Sequence, residues 1–374
     1  MRVEKIGDLQ IIQSNPTNPY FSYFAWPTAA RLQDGRIAVV SSGLRNDHIC
    51  PFGKVVISYS DDEGKTFTSP TVLFDTSIDD RDPGIVAYGD SNVIITALNC
   101  TVSELQNRCR AGFWKAYVET CITKDAEEKY YGSIYRISRD CGKTFGEIKR
   151  APVGTPHGPT PLGDGSLLWI GHHKGLEFKS DDNIIYVYKM TPDEEFIPLG
   201  SIEPIIYNGA PLLSEEPHVM KLPNGRLLCH IRAERGHERE VFTTYQCYSD
   251  DEGKTWSTPE RIIPILEGAT SYLSMHSSGV LLSCFERRQP PFEIKVMFST
   301  DNGETWNYDN TIFSRELYEN FRVWNPDDDY PANDLGYPPT VELSDKSLLT
   351  VFYSRYPNLT DKALVLGQRW KLTE

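Results

Sequence analysis

Three stretches place polar side chains of chemically useful types at the ends of apolar runs. In SSGLRNDHICPFG, Arg45, Asp47 and His48 lie between Gly43 and Gly53, so they sit in a polar loop. In EEPHVMKLPNGRLLCHIR, Glu216 precedes one strand-like run and Arg232 ends the next, 16 positions on. A hairpin brings both ends of such a segment to one rim. In NDLGYPPTVELSDKSLLTVFY, Tyr337 stands just ahead of an apolar run. An Asp can give or take a proton, and an Arg can grip a carboxylate through two parallel N–H bonds. A phenol, with a pKa of about 10, is a poor nucleophile unless a neighbouring carboxylate takes its proton. Each residue also has a structural use: a loop Asp forms turns, a Glu–Arg pair makes a surface ion pair, and a Tyr fills a core. Glu215 competes with Glu216 for the carboxylate role.

Further cations and imidazoles lie at comparable places. Arg45, and Arg81 in DDRDPG, are placed to point inward, and Arg287 and Arg288 in CFERRQPPFEI are further candidates shifted in register by the Pro-Pro turn. His157 in TPHGPTP opens a segment, and His218 and His230 fall in the stretch that holds Glu216. No HExxH spacing accompanies them, so no metal and no cofactor are expected. Hydrogen bonding or a structural role suits these histidines better.

The elements that carry these residues are repeated. WPTAARLQDGRIAVV, DPGIVAYGDSNVIIT, HGPTPLGDGSLLWI, EPHVMKLPNGRLLCHI, ATSYLSMHSSGVLLSCF and YPPTVELSDKSLLTVFY each read as strand, turn, strand, with turn pairs at 34/35, 90/91, 164/165, 224/225, 278/279 and 345/346. Asp-Gly and Asn-Gly predict type I′ hairpins, with positive φ at both central residues. A third alternating strand follows most hairpins (KVVISYS, GSIYRIS, TTYQCYS, IKVMFS) and runs into a turn Ser-x-Asp-x-Gly-x-Thr-aromatic. That turn recurs at Ser60–Phe67, Ser138–Phe145, Ser249–Trp256 and Ser299–Trp306. Its Asp residues, Asp62, Asp140, Asp251 and Asp301, can accept bonds from following N–H groups while the Gly supplies positive φ. These are fasteners on the outer strands, not catalysts. The third unit lacks the Asp turn (IIYVYKMTPDEEF). Units 54 to 74 residues apart, with almost no helical periodicity, predict an all-β, six-bladed β-propeller of four-stranded antiparallel blades, residues 1–374 forming one domain. ALVLGQRWKL, alongside an N-terminal strand near EKIGDLQIIQS, closes the sixth blade. Residues 101–130 have helix-compatible composition and read as a loop insertion into the second blade, over the site, and 310–335 as a second long excursion.

Composition sets limits. The 374 residues carry a net charge of -14, which disfavours nucleic acid and anionic membrane surfaces. No apolar run reaches the roughly 18 residues of a membrane helix. The N-terminus lacks an apolar signal core, so a cytoplasmic protein is expected, or a secreted one if a signal peptide has been removed. The eight cysteines show no CxxC pair and read as buried thiols, with Cys100, Cys109 and Cys121 close enough in sequence to bridge in an oxidising compartment.

The repeated turn is the Asp box, and with six blades it resembles the sialidase superfamily of glycoside hydrolases over most of the chain. That resemblance implies Asp47 as general acid/base, Tyr337 as nucleophile with Glu216 polarising it, and Arg232 on a substrate carboxylate. It implies three such arginines. The first normally precedes the Pro of the opening strand, where FAWPTAARL has Ala25; Arg45, His48, Arg81, His157, Arg287 and Arg288 are the remaining candidates for substrate binding. The expectation is an exo-acting glycosidase that removes a terminal acidic sugar, sialic acid or a relative, from a glycan with retention. A non-catalytic carbohydrate-binding propeller and a lyase or glycosidase acting on uronic-acid glycans are the alternatives.

Overall fold

At Asp34-Gly35 only the glycine takes positive φ, 89°. The Leu32 N–H donates to the Arg36 carbonyl at 2.8 Å, and the Asp34 carboxylate accepts the Arg36 N–H at 3.2 Å. The hairpin is therefore a type I turn followed by a left-handed residue, not the expected type I′ pair. The turn at 224/225 repeats it with Gly225 at 92°, and at 345/346 Lys346 takes the left-handed place at 67°. An Asp or Asn side chain that caps the turn locally removes the need for positive φ at the first position.

The computed structural model describes all residues except 109–111, 123, 176–182, 237–239, 316–333, 356–361 and 374. Its hairpins extend into six antiparallel blades. The first runs from Tyr23–Arg31 through Ile37–Arg45 and Lys54–Ser60 to Thr71–Phe74; the fourth runs from Leu213–Lys221 through Leu227–Arg235 and Val241–Ser249 to Glu260–Arg261. In the sixth, two short strands, Leu335–Gly336 and Thr340–Glu342, share the inner position, and the N-terminal strand Arg2–Gln13 pairs outside Ala363–Thr373. That pairing of the two chain ends closes the ring, as the sequence suggests.

Apolar residues fill each junction between neighbouring blades. Val55 and Ile57 meet Ile85 and Ile95 between the first two blades, Leu168 and Val187 meet Val219 and Ile231 between the third and fourth, and Phe24 and Val39 meet Val351 and Val365 between the first and last. Alternate residues on each strand point to opposite faces, so every blade buries both.

At the Asp turns, Asp62 accepts the Lys65 and Thr66 N–H groups at 3.0 and 2.9 Å and the Thr66 hydroxyl at 2.6 Å, while the Ser60 hydroxyl takes the Gly64 N–H at 2.8 Å. Asp140, Asp251 and Asp301 each hold the equivalent Thr hydroxyl and N–H. The insertion at 101–130 is helical, as its composition allows: Val102–Arg108, Gly112–Cys121 and Lys124–Tyr130. Thr101 and Glu104 form a reciprocal capping box, at 2.6 and 2.9 Å, and Leu105, Val118 and Ile122 pack with Ile78. Cys100 and Cys121 are free thiols, and Cys109 lies outside the described residues, as does most of the excursion at 310–335.

Candidate active site

One backbone device recurs where the inner strands meet the axis. Trp26, Asp82, Glu216, Thr270 and Tyr337 take φ values of 51°, 49°, 51°, 55° and 51°, and Gly158 takes the equivalent place in the third blade at 83°. Pro follows all of them except Thr270. The pairing register slips at the same place, between Ala25 and Thr28, Arg81 and Gly84, Glu215 and His218, and Ala269 and Tyr272. Non-glycine residues in left-handed backbone cost roughly 1–3 kcal/mol each and persist where surrounding structure holds them. The result is a ring of equivalent inner-strand positions, of which Trp26, Asp82, Glu216 and Tyr337 line one cleft.

Glu216 and Tyr337 meet in that ring. The Tyr337 hydroxyl donates to Glu216 Oε1, and Glu216 Oε2 accepts from Arg232 Nη1 and the Thr270 hydroxyl, both at 3.0 Å. Burial alone would raise the Glu216 pKa. The Arg232 charge and the Tyr337 hydroxyl outweigh it and bring it to about 2, so the group is a carboxylate. Burial, with the Glu216 and Asp82 charges, pushes Tyr337 well above the usual phenol value. The pair is thus a neutral phenol aimed at an ionised base. Gly336 lets Glu286 sit beneath it: a Cβ on Gly336 would lie 2.6 Å from Glu286 Cδ, and Glu286 accepts the Tyr337 N–H at 3.3 Å.

A cleft of about 920 Å³ opens above the pair. Of the residues singled out from sequence, His48, Arg81, Glu215, Glu216, Arg232, Arg288 and Tyr337 line it. Trp26 and Asp82 line it too, and the sequence analysis missed both. The signal that finds them is the dipeptide X-Pro at the start of the inner strand: WP, DP, GP, EP and YP occur in five of the six repeats. Each arginine in the cleft already carries a carboxylate. Arg81 Nε binds Asp82 at 2.9 Å, Arg232 binds Glu216 and Glu234, the latter at 2.7 Å, and Arg288 binds Glu286 at 2.9 Å. Ala25 is buried opposite Ser42 and contributes no cation. A second hollow of about 480 Å³ adjoins the cleft through Tyr131 and Lys174, with Tyr188, Phe196 and Arg150 on its walls.

Other candidates lie elsewhere, and four assignments change. Arg45 is fully buried and bound through both Nη atoms to Asp79, at 2.5 and 2.8 Å, so it is a clamp and not a substrate ligand. Arg287 does not line the cleft; it faces Glu267 at 3.9 Å. His157 is buried below it, between the rings of His218, Tyr272 and Tyr337, and burial lowers its pKa to about 4. Asp47 is outside the cleft lining, with its carboxylate on the His48 N–H at 2.9 Å; the ring of His48 packs edge-on to Trp26 instead. His230 is bound to Ser283 and Gln246 at 3.0 Å each, a structural role. Among the described residues no group of three or more His, Cys, Asp and Glu is placed to hold a metal ion.

The family profile described as BNR repeat-like domain matches residues 113–351, more than half of the chain. Among solved structures, a protein of unknown function from Dyadobacter fermentans superposes with a TM-score of 0.69 at 16% identity over 99% of both chains. The NanB sialidase from Streptococcus pneumoniae superposes with a TM-score of 0.65 at 13% identity, over 98% of this chain and 71% of that one. An α-L-arabinofuranosidase from Fusarium graminearum gives 0.61 at 14% identity over 99% of both. No curated protein sequence matches the chain. The fold is a divergent sialidase-like propeller, and the chain belongs to the family of BNR repeat-like domains.

Proposed function

We propose that this protein is a retaining exo-glycosidase that cleaves a terminal sugar from a glycan. The Tyr337 hydroxyl bonded to the Glu216 carboxylate at the cleft floor carries this reading. Tyr337 oxygen attacks the anomeric carbon as Glu216 takes its proton, and a glycosyl-tyrosine forms; water then hydrolyses it. A neutral phenol held by a charged base suits attack on a carbon that is already gaining positive character. The names of the similar folds, sialidase and arabinofuranosidase, fit a sugar-cleaving cleft. The adjoining hollow, with Tyr188 and Phe196, offers aromatic faces for the rest of the glycan.

The charge pattern argues for a terminal sugar without a carboxylate. Arg81, Lys174, Arg232 and Arg288 line the cleft against Asp82, Glu104, Glu215 and Glu216, and Glu234 and Glu286 stand behind the arginines. A substrate carboxylate would have to displace an internal one from its arginine. An acidic sugar is the second reading, favoured by Arg81 Nη1, which is buried without a hydrogen-bond partner among the described residues. Hydrolysis of a panel of aryl glycosides, neutral pentosides and hexosides beside an aryl sialoside, decides between them. Release from a neutral glycoside with first-formed product of unchanged anomeric configuration by proton NMR is expected. Turnover of the sialoside alone refutes the neutral-sugar reading, and an inverted product refutes the tyrosine nucleophile.

A further inference from the structure

The geometry points to Glu215, not Asp47, as the general acid/base of this site. The inference rests on the proposed function, which needs a proton donor for the leaving oxygen. Consecutive residues of a strand ordinarily face opposite sides. Here the register slip after Glu215 and the left-handed backbone of Glu216 turn both carboxyl groups into the same cleft. Their Cα atoms are about 3.8 Å apart, so both groups reach one bound sugar. Glu216 is spent on Tyr337, Arg232 and Thr270. Glu215 makes no side-chain hydrogen bond among the described residues and remains available to substrate.

The surroundings favour a proton on it. Burial raises the Glu215 pKa; Arg232 opposes that, and the Glu216 and Glu234 charges add to it, with Lys174 opposing, for a value of about 7. His172 and His173 line the same wall, and Glu104 lines the cleft from the helical insertion. Two adjacent carboxyls are thus set apart, one ionised and one whose affinity for a proton is raised toward neutrality, the division of labour between base and acid. Of the remaining cleft carboxylates, Asp82 has one oxygen on Arg81 and Glu104 has one on the Thr101 N–H. In the first step Tyr337 oxygen bonds to the anomeric carbon, the glycosidic C–O bond breaks, the Tyr337 proton passes to Glu216, and the Glu215 proton passes to the departing oxygen. In the second, water oxygen bonds to that carbon, its proton passes to Glu215, the C–O bond to Tyr337 breaks, and the phenol regains its proton from Glu216.

The test compares Glu215→Gln with Asp47→Asn in the full chain, on a nitrophenyl and a dinitrophenyl glycoside of the same sugar. Glu215→Gln is expected to lose about 10²–10⁴-fold in kcat/KM on the poorer leaving group, far less on the better one, and to lose the fall in activity as pH rises through about 7. Added azide should restore turnover to Glu215→Gln by taking the place of water. Equal losses on both substrates, or this signature in Asp47→Asn instead, overturns the assignment. A carbon-13 carboxyl titration of the free protein supplies a readout that needs no substrate. A resonance absent from Glu215→Gln with a midpoint near 7 is expected, and a midpoint below about 5, the ordinary range, overturns the assignment. If the wild type cleaves no glycoside in the panel, the proposed function fails, while the titration still decides for or against Glu215 as a protonated acid.

Discussion

Replacing Asp79 by Asn tests whether Arg45 holds the site together or binds substrate. Both side chains are fully buried, and Arg45 also donates to the carbonyls of Asp47, His48 and Asp80. It therefore ties the loop that carries His48 to the inner strand that carries Arg81 and Asp82. Gly53 leaves room for the clamp, since a Cβ there would lie 2.0 Å from Arg45 Nη1 and 2.1 Å from Asp79 Oδ1. Removing one partner of a buried ion pair costs about 3–5 kcal/mol, because the other charge is left uncompensated. With an unfolding entropy of about 2.1 cal/mol/K per residue over 374 residues, about 0.8 kcal/mol/K in all, Asp79→Asn should lower Tm by about 4–6 °C in calorimetry. The double variant Arg45→Met/Asp79→Leu should recover most of that loss, as no isolated charge remains. A single variant that melts within about 1 °C of wild type would refute the clamp, and a double variant that melts lower than the single would refute the charge argument behind it.

Tyr337→Phe and Glu216→Gln should each lower kcat/KM by at least about 10²-fold, and the double variant should lose little more than either, because the two act as a unit; additive losses would show separate roles. Glu286 is raised by burial to about 7, against Arg288, from 4.5. A raised carboxyl stabilises the fold fully below its unfolded value, and that contribution fades as pH rises through the folded one. Glu286→Gln should thus gain in Tm relative to wild type between pH 4.5 and about 8, and a difference that does not change with pH would refute it. Phe196→Ala should raise KM several-fold for an oligosaccharide while sparing an aryl monosaccharide; equal effects on both would remove the hollow from the substrate path.

The fold was legible because its signals are local and repeated. A turn needs only neighbouring residues, so the Asp turns and the hairpin pairs announce the blades and their order. Two local features read less well. Asp34-Gly35 has the composition of a type I′ turn, yet the Asp34 side chain caps the turn and leaves only Gly35 left-handed. The insertion at 101–130 is helical because TVSE forms a capping box and Leu105, Val118 and Ile122 find Ile78 in a preceding strand connection. The first of those causes is written in the sequence; the second is tertiary.

The site divides along the same line. Glu216, Arg232 and Tyr337 could be found because hairpin ends share a rim, and strand pattern alone locates hairpin ends. Whether a polar residue at that rim faces the cleft depends on partners distant in sequence. Arg45 has the same residue type and nearly the same placement as Arg232, but Asp79, 34 positions away, takes both of its Nη atoms. That Glu215 and Glu216 both line the cleft depends on geometry that no spacing reveals, a register slip between Glu215 and His218. Yet that slip leaves a trace. Each left-handed residue of the ring precedes a Pro in five blades, and the fifth blade, with Thr270 before Ser271, is the exception whose hydroxyl serves Glu216 instead of substrate. The residue before that Pro is thus the position through which this fold sets its chemistry. Exchanges there should alter activity more than exchanges at the acidic turns, which sit on the outer strands and hold only their own backbone.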